Sequence, residues 1–354
     1  MNSDTYFAML EGDELATQIL EKVRQYQRHL IDSGYWGLIC KSAQFVHGMD
    51  AKGFSAFGIR PHGPRSEYRR MKLDEYASLY LSFVSDLTGQ RITFEPQPKG
   101  EDWRASKQAE LAKNVLEDAL KAYAEATLLD AVGYAAHLGM GVTAVDFDPH
   151  GGSPTLPGLD GEGPVMSGAM QCRSYMPQNA AFDIEVDRPE DIRWWVLRRW
   201  EDAHDLISMF PEHREVILAA RGGGELEREV QLKDHILGNR PEMRRQRVPL
   251  YEFRHGPTPA CPNGRIAWLL GGNSGGGTLL FADDLPFVDE NGQRRMCVRR
   301  LALRNVVDTG FGWTPLWLLL APQELVDMYQ SIQATNYSAH GVGVILNPRG
   351  SDIS

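Results

Sequence analysis

Three residues that could ligate a metal ion alternate along one short segment. Asp146, Asp148 and His150 are separated by single residues, so a strand would direct all three toward one face. There they could bind a hard cation, as a nucleotide- or metal-dependent enzyme would require. Pro149 and Gly151 instead favour a turn in which the carboxylates are solvated. We therefore predict no metal site in this segment.

The other candidates for catalysis lack essential parts of their motifs. Residues 271–277 have the glycines of a phosphate-binding loop but no lysine, which predicts a hairpin loop instead. His204 and His213 are not spaced as the zinc-binding pair of one helix. We therefore predict that the chain is not an enzyme and uses no cofactor.

Cysteines, arginines and tryptophans also have structural explanations. The cysteines form no Cys-x-x-Cys pair, which favours reduced thiols; they are Cys40, Cys172, Cys261 and Cys297. Three arginine groups are predicted to be solvated faces: Arg65, Arg69 and Arg70; Arg244, Arg245 and Arg247; Arg294, Arg295, Arg299, Arg300 and Arg304. Five tryptophans are predicted to be core or interface residues: Trp194, Trp195, Trp200, Trp313 and Trp317.

Composition excludes several classes of protein. The 354 residues are 42% hydrophobic and 24% charged, which excludes a disordered chain or a coiled coil. A formal net charge of -10 argues against a protein whose whole surface binds nucleic acid. The longest apolar run, residues 316–321, is too short to cross a bilayer, so we predict no membrane association.

The elements that would position these residues begin with helices. Apolar residues recur at steps of three and four over residues 13–31, 71–87 and 105–138, and each region is predicted to be helical. A strand is predicted at residues 91–95, after the second helix.

The middle of the chain changes to the pattern of strands. Strands are predicted at residues 142–148, 193–200, 249–255, 265–270 and 277–281. Two short helices are expected on either side of Pro211, and residues 222–247 are predicted to be exposed. Pro/Gly turns between the later strands favour an antiparallel meander, so the predicted fold class is α+β.

A last helix is predicted at residues 322–339, followed by a strand at residues 342–346. The apolar residues of this helix form one stripe: Leu325, Met328, Tyr329, Ile332 and Tyr337. The other face is polar, contains Glu324 and Asp327, and has no Lys or Arg.

The order of these segments carries a resemblance to a known family. Its parts are the opening segment at residues 32–37, the helix and strand at 71–98, the helix-to-strand step at 105–148, and segments 176–185, 191–195, 209–211, 285–287, 313–316 and 322–346. In this order they resemble the portal protein of tailed bacteriophages, the ring at the head-to-tail vertex through which DNA enters and leaves.

The resemblance implies a division of the chain. Residues 1–315 would form an α+β wing, residues 316–341 the first stem helix, and residues 342–354 the start of a clip strand. A portal subunit continues through the clip to a second stem helix and to tunnel and crown elements. We therefore expect this sequence to be a piece of a longer one.

The resemblance also implies function and partners. The subunit would be one of a closed ring, expected to have twelve members, that conducts double-stranded DNA during packaging and ejection. Expected partners are the major capsid protein, the terminase packaging motor and the head–tail adaptor protein. The expected location is the portal vertex of the virion, and the host cytoplasm during assembly. Glu324 and Asp327 are candidate channel-lining residues, since an acidic ring repels the phosphate backbone.

Two alternatives come from other classes of protein. A monomeric virion adaptor or binding protein would have the same composition but would form no ring. An enzyme would need Asp146, Asp148 and His150 to hold a cation.

Overall fold

The computed structural model describes most of the chain. The described residues are 5–47, 49–50, 53–54, 60–61, 69–70, 73–89, 93–98, 100, 102–148, 152–156, 165–223, 246–271 and 276–340. Within these ranges, eight α-helices accompany antiparallel sheets, so the predicted α+β class is confirmed.

The first helix, α1, spans Gly12–Asp32 and confirms the first helical prediction. Its apolar stripe, which includes Leu15, Ile19 and Leu30, is fully buried. The chain leaves α1 through Gly34, which adopts a left-handed conformation with φ 77°. A second helix that the sequence did not predict, α2 (Tyr35–Val46), begins directly afterwards.

The segment after α2 contains less regular secondary structure than the sequence predicts. Two-residue strands form two pairs, β1 (Met49–Asp50) with β2 (Gly53–Phe54) and β3 (Arg60–Pro61) with β4 (Arg69–Arg70). Helix α3 spans Glu75–Thr88. The strand predicted at residues 91–95 is wrong for its described part, because residues 93–98 adopt neither helix nor strand. Residues 93–95 pair with no strand in the described part of the chain, and Pro96 and Pro98, which lack a backbone N–H, prevent the segment from continuing as a paired strand.

The third helical region is long, as predicted, but interrupted. Helix α4 spans Trp103–Ala119, a π-helical turn spans Leu120–Ala124, and α5 spans Glu125–Leu138. Gly139 ends α5 with φ 88°, and a Cβ atom there would lie 2.5 Å from the Tyr35 hydroxyl and 2.7 Å from the Trp317 ring. Only glycine meets both requirements.

A three-stranded antiparallel sheet follows α5. Strand β5 (Gly141–Asp148) confirms the strand predicted at residues 142–148 and lies at the centre of this sheet. A short pair, β6 (Pro154–Leu156) and β7 (Val165–Met166), leads to β8 (Ala169–Tyr175), which pairs with β5 on one side. Strand β14 (Val298–Leu301) returns from far along the chain to pair on the other side.

The second sheet has five antiparallel strands and confirms the predicted meander. Its strands are β9 (Ala180–Phe182), β10 (Trp194–Asp202), β11 (Arg247–His255), β12 (Arg265–Gly271) and β13 (Gly277–Asp283). They are ordered β13-β12-β11-β10-β9. Between β10 and β11 lie the two short helices expected around Pro211, α6 (Ala203–Met209) and α7 (Arg214–Ala219). Most of segment 222–247 lies outside the described residues.

The main core runs between the first helices and this sheet. Helix α1 lies against β13 and β9, and its buried side chains belong to the same core cluster as Trp194, Phe253 and Leu269. A last small pair, β15 (Arg304–Asn305) and β16 (Gly312–Trp313), precedes a 3₁₀ segment at Pro315–Leu319.

Helix α8 (Leu320–His340) confirms the predicted last helix. Leu316, Trp317 and Leu320 belong to the main core, so the start of the predicted stem region packs with the body of the protein. The clip strand predicted at residues 342–354 lies outside the described residues. None of the described helices has both the length and the apolar composition needed to cross a bilayer.

Candidate functional site

The structure assigns the two acids of the possible metal site to other partners. Asp146 accepts a hydrogen bond from the guanidinium of Arg254, and Asp148 accepts one from Gln171 Nε2 at 3.0 Å. His150 lies outside the described residues. Within the described part of the chain, no group of three His, Cys, Asp or Glu side chains is arranged to hold a metal ion.

Arg254 is the centre of a buried charge cluster between the two sheets. It extends from β11 to β5, where its Nη1 also donates to the Val145 carbonyl at 3.1 Å. Its neighbour on the same strand, Glu252, accepts from its Nε. The side chains of Arg254 and Glu252 are 2% and 1% exposed. Such charges are tolerated in a core only when they are paired.

Further ion pairs extend this cluster toward solvent. Arg199 Nη1 lies 3.7 Å from Glu252 Oε2, and Arg199 Nε lies 3.0 Å from Glu201 Oε1. Arg173 approaches the same oxygen of Glu201 at 3.5 Å. Burial raises the pKa of Glu252 and of Glu201. Burial alone would lower the pKa of Arg254, but Glu252 and Asp146 raise it overall. This arrangement of ion pairs joins the two sheets.

The other candidate residues fit structural roles. Gly271 pairs with Gly277 across β12 and β13, which confirms a hairpin there, although residues 272–275 lie outside the described part. His204 is exposed on α6, and His213 lies 4.0 Å from Glu212. All four cysteines are free thiols. Trp194, Trp195 and Trp317 are buried, which confirms the prediction of core residues for these three.

Helix α8 packs against the body of the protein through its polar face. Gln323 is buried and donates to the Leu73 carbonyl at 2.7 Å, while its Oε1 accepts from the Tyr76 amide at 3.0 Å. Asp327 Oδ1 accepts from the Leu73 amide at 3.0 Å and from Gln323 Nε2 at 2.9 Å. These bonds fix α8 to the start of α3.

The apolar face of α8 points away from the body. Four side chains at helical spacing define it, and we call them the outer stripe: Leu325, Met328, Tyr329 and Ile332. Each is about half exposed or more, and Tyr329 is 61% exposed. The orientation is the reverse of that of an ordinary surface helix, which buries its apolar stripe.

Glu324 and Asp327, the predicted channel-lining residues, are both engaged within the subunit. Asp327 binds the Leu73 amide, and Glu324 forms an ion pair with Lys41 of α2 at 2.7 Å. Glu324 remains about half exposed. Whether these carboxylates lie in a channel depends on the arrangement of several subunits, so their lining role stays a prediction.

Helix α4 also exposes apolar side chains. None of its 17 residues, all of them described, is buried. Leu111, Val115 and Leu116 form what we call the α4 stripe, and Trp103 at the start of the helix is 70% exposed. Together, α3, α4 and α8 carry half of the large exposed apolar side chains of the described residues. Exposed apolar side chains grouped on one face of a helix, as in the outer stripe and the α4 stripe, are typical of interaction surfaces.

Sequence reasoning missed two of these features. The ion pairs of Arg254 depend on contacts between distant strands, and the only local signal was a charged pair alternating with apolar residues in β11. The periodicity of α8 predicted its stripe but contained no information on which face would meet the body.

No protein-family model matches the chain, and no curated protein matches it.

Proposed function

We propose that this chain is a subunit of a portal ring that conducts double-stranded DNA at the head-to-tail vertex of a tailed bacteriophage. The observation that carries the proposal is the outer stripe of α8. A helix that binds its own subunit through Gln323 and Asp327 leaves its apolar face available to another molecule. In a ring, that molecule is the next copy of the same chain.

The energy available from this surface supports assembly. Burying one large apolar side chain contributes about 1.5–3 kcal/mol relative to full exposure, so half-exposed residues retain roughly half of that gain. Four such residues can contribute several kcal/mol at each interface, and a closed ring repeats the interface at every subunit. A monomer, by contrast, would leave this area in contact with water.

The charge of the chain supports a conduit. A net charge of -10 per subunit, repeated around a ring, repels DNA phosphates and allows the duplex to move without being held. In this proposal the ring has twelve subunits and lies at the portal vertex of the virion. It contacts the major capsid protein, the terminase motor and the head–tail adaptor protein.

The proposal is tested by the mass of the purified protein in solution, measured by light scattering, with negative-stain images of the same fraction. We expect rings with a central hole and about twelve times the subunit mass of 39.7 kDa. A protein that stays monomeric over the accessible concentration range would contradict the proposal and favour the monomeric adaptor.

A matched pair of variants connects the ring to the outer stripe. Tyr329→Ser with Ile332→Ser removes two of its apolar side chains and is expected to shift the population toward monomers. Val307→Ser removes an apolar side chain that is 82% exposed in the turn between β15 and β16, and it is expected to leave the rings intact. Equal ring populations in the two variants would mean that the stripe does not form the interface.

A further inference from the structure

Helix α1 covers one edge of the five-stranded sheet. Strand β13 is the last strand of this sheet, so one of its sides faces no further strand of the sheet. On that side the Leu279 N–H donates to Asp13 Oδ1 at 2.9 Å, and the Gly277 N–H donates to Thr17 Oγ1 at 3.3 Å. Two side chains of α1 therefore bind the backbone groups that a further strand would bind.

The spacing of the two acceptors matches that of the two donors. Asp13 and Thr17 are one helical turn apart, which is about 6 Å along α1. Gly277 and Leu279 are two residues apart in β13, or about 6.8 Å, and alternate residues of a strand direct their N–H groups to the same edge. The Thr17 hydroxyl donates to the Asp13 carbonyl at 2.8 Å, so the lone pairs of its oxygen are left to accept from Gly277.

Close packing holds α1 against the strand. A Cβ atom on Gly277 would lie 2.8 Å from the carbonyl carbon of Ala16 and 2.9 Å from the Ala16 Cβ atom, so only glycine allows the helix to approach this closely. The chain before α1 is bound to β12, the next strand of the sheet, because Arg265 Nη1 donates to the Ala8 carbonyl at 2.6 Å. The position of α1 over the edge is therefore fixed by the backbone packing as well as by the two side chains.

The strand under this contact has the composition of a segment that pairs between chains. Residues 277–282 contain no charged residue and no proline, and Thr, Leu and Phe provide most of their side chains. Asp283 and Asp284 follow directly, and charged residues beside such a segment oppose its aggregation. Two identical edges can pair antiparallel, and this contact closes at a dimer.

We infer that α1 prevents β13 of one copy from pairing with β13 of a second copy, because Asp13 and Thr17 occupy the N–H groups through which the two strands would bind. This inference goes beyond the proposed ring and does not depend on it. With both acceptors removed, two copies would pair around Thr278. Gly277 of each copy would then lie opposite Leu279 of the other, and the two Thr278 residues would face each other.

Disulfide trapping at position 278 tests the inference. The reference protein is the chain with its four cysteines replaced by serine or alanine and with Thr278→Cys. Adding Asp13→Ala and Thr17→Val removes both acceptors, and mild oxidation should then produce a covalent dimer band on a denaturing gel. The reference protein should stay monomeric on the gel, because α1 keeps the thiols of two copies apart. The gel detects the contact between two thiols, so its result is independent of whether the chain forms rings.

Two control variants separate the loss of the acceptors from other effects of substitution. Asp13→Asn with Thr17→Ser keeps an accepting oxygen at each position and should stay monomeric. Glu14→Ala with Gln18→Ala changes two exposed positions of the same helix and should also give no dimer. Equal dimer bands from these controls and from the variant without acceptors would overturn the inference.

Hydrogen exchange shows whether the edge has been freed. The Gly277 and Leu279 amides should exchange faster in the variant without acceptors than in the reference protein. Faster exchange at both amides without a covalent dimer would overturn the inference. If circular dichroism shows that this variant does not fold, Thr17→Val alone, which frees only the Gly277 N–H, should give more dimer than the reference protein. Absence of that dimer would overturn the inference as well.

Discussion

Arg254 on β11 and Asp146 on β5 form an ion pair that joins the two sheets of the fold. The same guanidinium donates hydrogen bonds to Glu252 on β11 and to the Val145 carbonyl on β5, so one side chain pairs with polar groups of both sheets. In an apolar interior these charges are costly when separated, which makes Arg254 a sensitive position for the stability of the protein.

We expect Arg254→Met to lower the free energy of unfolding by about 3–5 kcal/mol, because it leaves Glu252 buried without its main partner. Urea denaturation followed by tryptophan fluorescence measures the change. Adding Glu252→Gln to Arg254→Met should recover part of the loss, since the unpaired charge is removed. As a control, Arg295→Met breaks the exposed pair with Asp289 and should leave the stability nearly unchanged.

The described elements show what the sequence could predict. The helical periods of α1 and α8 and the alternation of β5 are local properties, and these elements formed where the pattern placed them. Helix α2 was not predicted, because only Ser33 and the left-handed Gly34 separate its start at Tyr35 from the end of α1 at Asp32.

The contacts of the candidate site were not predictable in the same way. The orientation of α8 is set by Gln323 and Asp327 binding Leu73, a residue about 250 positions earlier in the chain. The partners of Asp146 depend on strand β11, more than 100 residues later. Long-range pairings of this kind leave no periodic trace in one sequence.

Stability should fall in mild acid because of His137 in α5. Burial lowers the pKa of His137 to about 4, and its Nδ1 lies 2.6 Å from the Gly133 carbonyl. The unfolded chain binds a proton near pH 6.5 and the folded chain only near pH 4, so this contribution to stability is complete above pH 6.5 and is lost as the pH falls toward 4. The loss approaches about 3 kcal/mol.

Thermal denaturation between pH 7.5 and pH 4 measures this effect. The decrease in melting temperature should be smaller in His137→Gln, which has no titrating group at this position. Burial also lowers the pKa of His47, whose ring centre is 5.9 Å from that of His137, so His47→Gln should reduce the acid sensitivity as well. If the melting temperature falls equally with pH in the parent, in His137→Gln and in His47→Gln, these histidines are not the cause of the acid sensitivity.

The attachment of α8 should depend on one amide side chain. Gln323→Ala removes its bonds with the Leu73 carbonyl, the Tyr76 amide and Asp327, and we expect a loss of about 2–3 kcal/mol in the free energy of unfolding. Hydrogen exchange at the Tyr76 amide should become faster. Gln333→Ala, at an exposed position of the same helix, is the matched control and should change neither quantity appreciably.

Two glycines should respond in opposite directions to the same substitution. Gly139→Ala places a Cβ atom into Tyr35 and Trp317 at a positive φ, so we expect a loss of at least about 1–3 kcal/mol. Gly37 lies inside α2 with open space around it, and Gly37→Ala should stabilise by about 0.5–1 kcal/mol. Melting temperatures of the two variants compared with the parent test both signs.

If the proposed ring forms, it should retain double-stranded DNA poorly. Non-specific DNA-binding proteins have dissociation constants of about 10⁻⁴–10⁻⁶ M at physiological salt, and an acidic conduit should bind more weakly than that range. Filter binding of a short duplex at about 0.15 M salt, with the protein in the micromolar range, should therefore show no retention. Retention of the duplex that weakens steeply with added salt would show electrostatic binding of DNA and would contradict the proposal of a conduit.

The same assay tests the two carboxylates of α8. Glu324→Gln with Asp327→Asn removes two negative charges from each subunit, and the asparagine side chain retains an oxygen that can accept from the Leu73 amide. If the two carboxylates line the channel, DNA retention by the rings should rise above that of the parent, because the repulsion is concentrated where the duplex passes. Glu110→Gln with Glu117→Gln removes the same charge from α4 and should have a smaller effect. Equal retention by both double variants would show that only the net charge matters and that Glu324 and Asp327 lie away from the DNA.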